Sequence, residues 1–174
     1  MMTIDEATMK QLKELLPVYK KIFKTHNVFE KSDKQVLQYM QKLHKVQHAY
    51  GGGFAVAMID DPILNIKNKV VGGICVVFKD LSPKKHMRVA LKHLAVDPKY
   101  VPLDVERDLI KMCLDKMYFA IKNDRCKSVK VEAHLAESEK TRKLFKKLGF
   151  KEEGKLKDHY RVGETCLILG NLVK

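Results

Sequence analysis

Glu132 and His134 stand two residues apart in the run Ser-Val-Lys-Val-Glu-Ala-His-Leu at 128–135, and the period of a strand puts both on one face. A carboxylate beside an imidazole is a pair that can take and return protons near neutral pH. The same two residues also suit a plainer arrangement, with Glu132 paired to a lysine across the strands and His134 as a surface ring. Tyr160, in Lys157-Asp158-His159-Tyr160-Arg161, offers a phenol for proton donation or for ordinary strand packing. His93, next to Lys92, reads as structural. Ser138 opens a basic stretch of Lys140, Arg142, Lys143, Lys146 and Lys147 against Glu139. Its hydroxyl is placed to cap a helix, and the cations behind it can meet an anion or simply be solvated.

The bulk charge points the same way. Lys+Arg number 34 against 21 Asp+Glu, a net +13 over 174 residues, which suits an anionic partner: a phosphorylated cofactor, an acidic protein, a nucleic acid or a ribosome. The charges are dispersed among acids, which equally fits a solvated lysine-rich surface. No recognition helix, zinc motif or aromatic RNA-binding motif is legible, so a sequence-specific nucleic-acid reader is disfavoured. The cysteines (Cys75, Cys113, Cys126, Cys166) form no CxxC and read as buried free thiols of a reducing compartment, with no disulfide and no metal. The opening Met-Met-Thr-Ile-Asp-Glu carries no apolar signal core, and the longest apolar run, 70–78, is too short to cross a bilayer. The expectation is a cytoplasmic chain without a membrane partner, a monomer or homodimer, folded as one domain over 1–174.

The elements that must position these groups follow from periodicity. Leu12, Leu15, Leu16, Tyr19, Ile22 and Phe23 form a helical stripe over 8–24, with Pro17 placed to kink it. Ser32 caps a second helix carrying Val36, Leu37, Met40, Leu43 and Val46, which the glycines at 51–53 stop. The period then changes: 54–59, 70–81 and 85–96 are rich in Val, Ile and Phe, separated by Asp60-Asp61-Pro62 and Ser82-Pro83, and read as three antiparallel strands. An amphipathic helix spans 104–123, a strand 128–135, a basic helix 138–148 ended by Gly149, and two strands lie in 150–173 around Val162-Gly163. A short strand at 3–5 precedes them. The class is α/β.

This order resembles the GNAT superfamily of acyl-CoA N-acyltransferases, and three passages carry the likeness. Val70-Val71-Gly72-Gly73, running into 74–78, is similar to the family's third strand. Leu94-Ala95-Val96-Asp97-Pro98-Lys99-Tyr100 is similar to its fourth strand and cofactor loop. Leu144-Phe145-Lys146-Lys147-Leu148-Gly149-Phe150 is similar to its helix–Gly-Phe–strand passage. The resemblance implies a mixed, mostly antiparallel sheet of six to seven strands with about four helices, and splayed fourth and fifth strands. It also implies acetyl-CoA as co-substrate and an amine acceptor, on a peptide, a protein or a small molecule. By the same resemblance the arm of acetyl-CoA pairs with Leu94, Ala95 and Val96 and could bond Ser138. Its pyrophosphate lies at Lys99, Val101, Leu103, Asp104, Val105 and Arg107, and its adenosine 3′-phosphate meets the basic helix that carries Lys143. Glu132, His134 and Tyr160 become the candidate catalytic groups.

Two departures stand out. The family's loop reads Arg/Gln-x-x-Gly-x-Gly/Ala, whereas this chain has Val101-Pro102-Leu103-Asp104-Val105-Glu106-Arg107-Asp108. The glycine positions fall on Pro102, Asp104 and Glu106, and Asp104 reads as a helix cap that competes for the same amides. The family's tyrosine acid falls on Phe145, which has no hydroxyl. These features keep a second expectation open: a non-catalytic GNAT-fold module that binds an acidic protein, a ribosome or RNA.

Overall fold

The computed structural model describes residues 1–24, 26–62, 65–159 and 162–174. The element order is β1 (Met2–Glu6), α1 (Met9–Ile22), α2 (Asp33–His48), β2 (Gly53–Asp61), β3 (Ile66–Leu81), β4 (His86–Val96), a 3₁₀ turn (Pro98–Leu103), α3 (Val105–Lys122), β5 (Ser128–Ala136), α4 (Glu139–Lys147), β6 (Lys151–Leu156) and β7 (Cys166–Val173). The strands form one seven-stranded mixed sheet in the order β1-β2-β3-β4-β5-β7-β6. The β4–β5 pair is parallel, while β1–β2, β2–β3, β5–β7 and β6–β7 are antiparallel. By contact the chain falls into two compact units, Met1–Val76 with His93–Met112, and Val77–Lys92 with Cys113–Lys174.

In the first unit both early helices begin with reciprocal caps. Thr8 and Gln11 satisfy each other's backbone N–H at α1, and Ser32 and Gln35 do the same at α2. The apolar stripe of α1 buries Leu12, Leu15, Leu16, Val18 and Tyr19, and Pro17 lies inside the helix on its exposed side. Gly72 and Gly73 leave no room for side chains in β3. A Cβ on Gly73 would stand 2.7 Å from Leu15 Cδ2, and one on Gly72 would stand 2.8 Å from Val96 Cγ2. The end of α2 is tied to β2 through buried His44, whose Nδ1 accepts the Phe54 N–H at 3.0 Å.

In the second unit the alternation of β5 buries Val129, Val131 and Ala133. Ser138 caps α4, accepting the Thr141 N–H. Gly149 then turns the chain at φ +85°, and Asn171 Nδ2 donates to the Leu148 carbonyl at 3.1 Å. Phe145 and Phe150 meet edge to face at 4.9 Å on either side of that turn. Among the described residues, no helix is long and apolar enough to cross a membrane.

Candidate active site

Parallel pairing sets β5 against β4 from His86↔Ser128 to Leu91↔Ala133. On its other edge β5 pairs with β7, placing Glu132 opposite Gly170 and His134 opposite Ile168. With Val129, Val131 and Ala133 turned into the core, Glu132 and His134 share the other face, as their spacing requires. Glu132 is only 15% exposed and accepts from Arg88 Nη2 at 3.1 Å, while Arg88 Nη1 reaches Asp80 at 3.2 Å. Its cross-strand partner is thus an arginine rather than the expected lysine. Glu132 and then Asp80 hold the Arg88 pKa above its ordinary value. Partial burial pushes the His134 pKa below the usual imidazole value. Lys79, His159 and Lys92 add to the push, and Glu132 opposes it. The shift favours the neutral imidazole. Tyr160 lies outside the described residues.

The stretch of β4 compared with a cofactor arm has Leu94 half-buried and Ala95 and Val96 buried. The Asp97 N–H donates to the Val71 carbonyl at 2.8 Å. Burial alone would raise the Asp97 pKa, but the Lys99 N–H and the Lys21 and Lys69 ammonium groups outweigh it and hold the carboxyl below its usual value. Lys99 is exposed, with its ammonium 5.3 Å from the centre of the Tyr100 ring. Val101 and Leu103 lie in the 3₁₀ turn, which the sequence did not announce and which contains Pro102.

Asp104 departs from its expected capping role. It takes a left-handed backbone at φ +59°, donates its N–H to the Val101 carbonyl, and places its carboxylate on Arg107 Nη1 at 2.8 Å. Arg107 is shared with Asp108, whose Oδ1 accepts from Nε at 2.8 Å, and Asp108 is the main reason that its pKa is raised further. Val105 is fully buried. At α4, Ser138 is spent on its helix cap and exposed Lys143 pairs with Glu139 at 3.6 Å. Phe145, which the resemblance set against the tyrosine acid, is entirely buried.

Sequence reading passed over one polar pair. Tyr39 on α2 and His93 on β4, 54 residues apart, are hydrogen-bonded through Tyr39 Oη and His93 Nε2 at 2.8 Å. His93 has a left-handed backbone at φ +55° inside the strand. Aromatic residues surround it: Phe29 at 5.1 Å, His26 at 5.8 Å, Phe23 at 6.1 Å, Tyr19 at 6.3 Å and Phe54 at 6.4 Å, centre to centre. Burial, with Cys75 adding, pushes the Tyr39 pKa up to about 12. A sequence signal did exist, since Phe23, His26 and Phe29 bracket the α1–α2 turn.

Among the described residues, Glu6, His44 and His48 bring metal-ligand atoms within 4.8 Å of one another. His44 Nδ1 already accepts the Phe54 N–H, and His48 Nδ1 pairs with Glu6. These contacts tie β1, α2 and β2 together. A groove of about 770 Å³ runs along α1 beside the start of β3 and Asp97, and Lys10, Lys21, Lys67 and Lys69 line it with Glu14.

No protein-family model matches the sequence, and no curated protein is similar to it. The fold is nevertheless that of solved GNAT acetyltransferases along the full chain. The ribosomal-protein-S18-alanine N-acetyltransferase from Escherichia coli superposes with a TM-score of 0.68 at 15% identity, covering 100% of this chain and 95% of its own. A chain of the NatC complex bound to Gag peptide and CoA gives 0.69 at 15% identity, covering 99% of each. A chimera of spermidine N-acetyltransferase SpeG from Vibrio cholerae and hSSAT gives 0.68 at 16% identity, covering 98% of this chain and 95% of its own.

Proposed function

We propose that the chain, over residues 1–174, is an acetyl-CoA-dependent N-acetyltransferase acting on an amine of a peptide, a protein N-terminus or a small molecule. The observation that carries this reading is the full-length GNAT fold with its parallel β4–β5 ladder, paired as far as Leu91↔Ala133 while β4 runs on to Val96 and β5 to Ala136. Acetyl-CoA supplies an acetyl group already activated as a thioester. The chain has to hold the arm, orient the acceptor and accept its proton. Backbone groups of Leu94, Ala95 and Val96 would pair with the arm.

The phosphates fit less well. Glycine amides are replaced by Pro102, which has no N–H, and by Asp104, whose N–H is already used. Arg107 is engaged by two carboxylates. Phosphate binding then falls to the dipole of α3 and to point charges, Lys99 first. Affinity weaker than a glycine loop would give is the consequence. His134, whose ring burial favours in its neutral form, is suited to take a proton, and Glu132 to hold the face in order with Arg88.

Titration calorimetry with acetyl-CoA tests the reading. Saturable heat, a thermal shift, and weakening by Lys99→Ala are expected. Absence of heat and of any shift at millimolar acetyl-CoA removes it.

The altered loop and the lysine-lined groove favour a second reading, a GNAT-fold module that binds an acidic protein, a ribosome or RNA. That reading requires RNA association to weaken steeply with salt. Salt-insensitive or absent association removes the RNA form of it.

A further inference from the structure

The Tyr39–His93 pair sits at the centre of the ring cluster. Phe29, Phe54 and Tyr19 fill that part of the core, each at or near complete burial. Among them β4 carries an imidazole on a left-handed backbone, a conformation that collects at functional sites. Tyr39 meets it from α2 with a hydrogen bond of ordinary length. Phe23, His26, Tyr39 and His93 are half-buried, so each keeps part of its surface.

We propose that Tyr39 and His93 form a proton relay serving the acceptor amine, with the phenol touching the amine and the imidazole receiving the proton. The proposal rests on the acyl-transfer reading. As the amine nitrogen bonds to the acetyl carbon and the carbon–sulfur bond breaks, the amine N–H proton passes to Tyr39 Oη. The Tyr39 hydroxyl proton passes to His93 Nε2, and the leaving thiolate carries away the negative charge. His93 then returns its proton to water. A phenol with its pKa near 12 stays protonated before the step, which is what a relay needs and a standing phenolate would not give. The imidazolium forms among aromatic rings, which favour a cation, with its Nε2–H donating to Tyr39 Oη. The other titratable groups packed around it are Tyr19 and His26, with Lys92 adjacent in the chain. The aromatic surroundings favour an amine carried on an apolar or aromatic stem.

The test uses the full chain, acetyl-CoA, and two probe sets: short peptides with free N-termini, and alkyl- and arylalkylamines. CoA release is followed with a thiol reagent. Tyr39→Phe keeps the ring and deletes the relay atom, and is expected to lower kcat/KM about a hundredfold, the range of proton-transfer assistance. The Kd for acetyl-CoA should stay unchanged. His93→Asn preserves a left-handed backbone at little cost and should lose a similar factor, with the double variant no worse than either single one, because the two act as a unit. His26→Gln should retain the pH profile. Independently of turnover, ¹⁵N chemical shifts of His93 should show the Nδ1–H tautomer in the wild type and lose that preference in Tyr39→Phe. A wild type that binds no acetyl-CoA removes the acyl-transfer reading and the relay with it. A wild type that transfers acetyl while Tyr39→Phe stays within threefold, or whose His93 is the Nε2–H tautomer, overturns the relay alone.

Discussion

Asp104→Gly should tighten acetyl-CoA binding, and the structure sets how much. Asp104 already holds the left-handed backbone that glycine adopts without strain, so the path of the loop survives the change. Two obstacles to a phosphate then disappear. A carboxylate leaves the N-terminal end of α3, worth about 0.3–1 kcal/mol to a bound anion. Arg107 also loses its 2.8 Å bond to Asp104. With side chains 46% and 63% exposed, that pair is a surface one holding on the order of 0–1 kcal/mol. Asp108 still retains Arg107 through Nε, so only part of that charge is released. The sum is about 0.5–1.5 kcal/mol, or roughly two- to twelvefold in Kd. Calorimetry measures it, and S-acetylpantetheine, which lacks the pyrophosphate, is the control. The gain should shrink at ~0.5 M salt, because exposed charges are screened there. An unchanged or weaker Kd for acetyl-CoA, or an equal gain with S-acetylpantetheine, would refute the assignment of the phosphates to this loop.

Gly73→Ala would set a methyl 2.7 Å from Leu15 Cδ2 and 3.0 Å from the Ala55 carbonyl. Overpacking of that kind costs about 1–3 kcal/mol, and urea unfolding followed by circular dichroism should show the cost falling in a Leu15→Ala background; simple additivity within about 0.5 kcal/mol would deny the contact. Ser32→Ala breaks a reciprocal cap and should cost about 1 kcal/mol. Ser138→Ala should cost less, since the Thr141 N–H lies at 3.5 Å with no reciprocal bond, and equal losses would contradict that ordering. The lowered His134 pKa means that the unfolded chain binds more protons in the window just below pH 6.5, so stability gained from a neutral ring is present above that value and lost as pH falls. Urea titrations between pH 5.5 and 7.5 should show this slope flattened in His134→Asn, and an unchanged slope would assign the titration elsewhere.

What was legible in the sequence was what local periodicity controls. The stripe of α1, the cap of α2, the alternation along β5 and the left-handed stop at Gly149 each follow from neighbours a few residues apart. A leading strand was anticipated at 3–5 and spans Met2–Glu6. The features that escaped depend on partners far along the chain. Arg88 reaches Glu132 only because parallel pairing sets it opposite Lys130, and that pairing has no local signature. The 3₁₀ turn and the left-handed Asp104 follow from Pro98 and Pro102 acting together, where a helix cap at Asp104 had been the simpler expectation. Left-handed His93 could not be told from the sequence, since histidine tolerates that region better than most residues yet adopts it in only a small minority of positions.

Close packing marks the positions that the fold constrains. Gly72 and Gly73 are fixed by the close approach of Val96 and Leu15, and Phe145 and Phe150 by burial across the Gly149 turn. Phe145 is wholly inside the core, where a hydroxyl would be a buried polar group in need of a partner. On the acyl-transfer reading, two sets among the described residues could handle the proton: the Glu132–His134 face of β5 and the Tyr39–His93 pair among the rings. Removing the Tyr39 hydroxyl keeps the ring but unpairs His93 Nε2, and replacing Glu132 leaves Arg88 without its best partner, so in both cases urea unfolding of the same variant must separate a loss of stability from a loss of turnover.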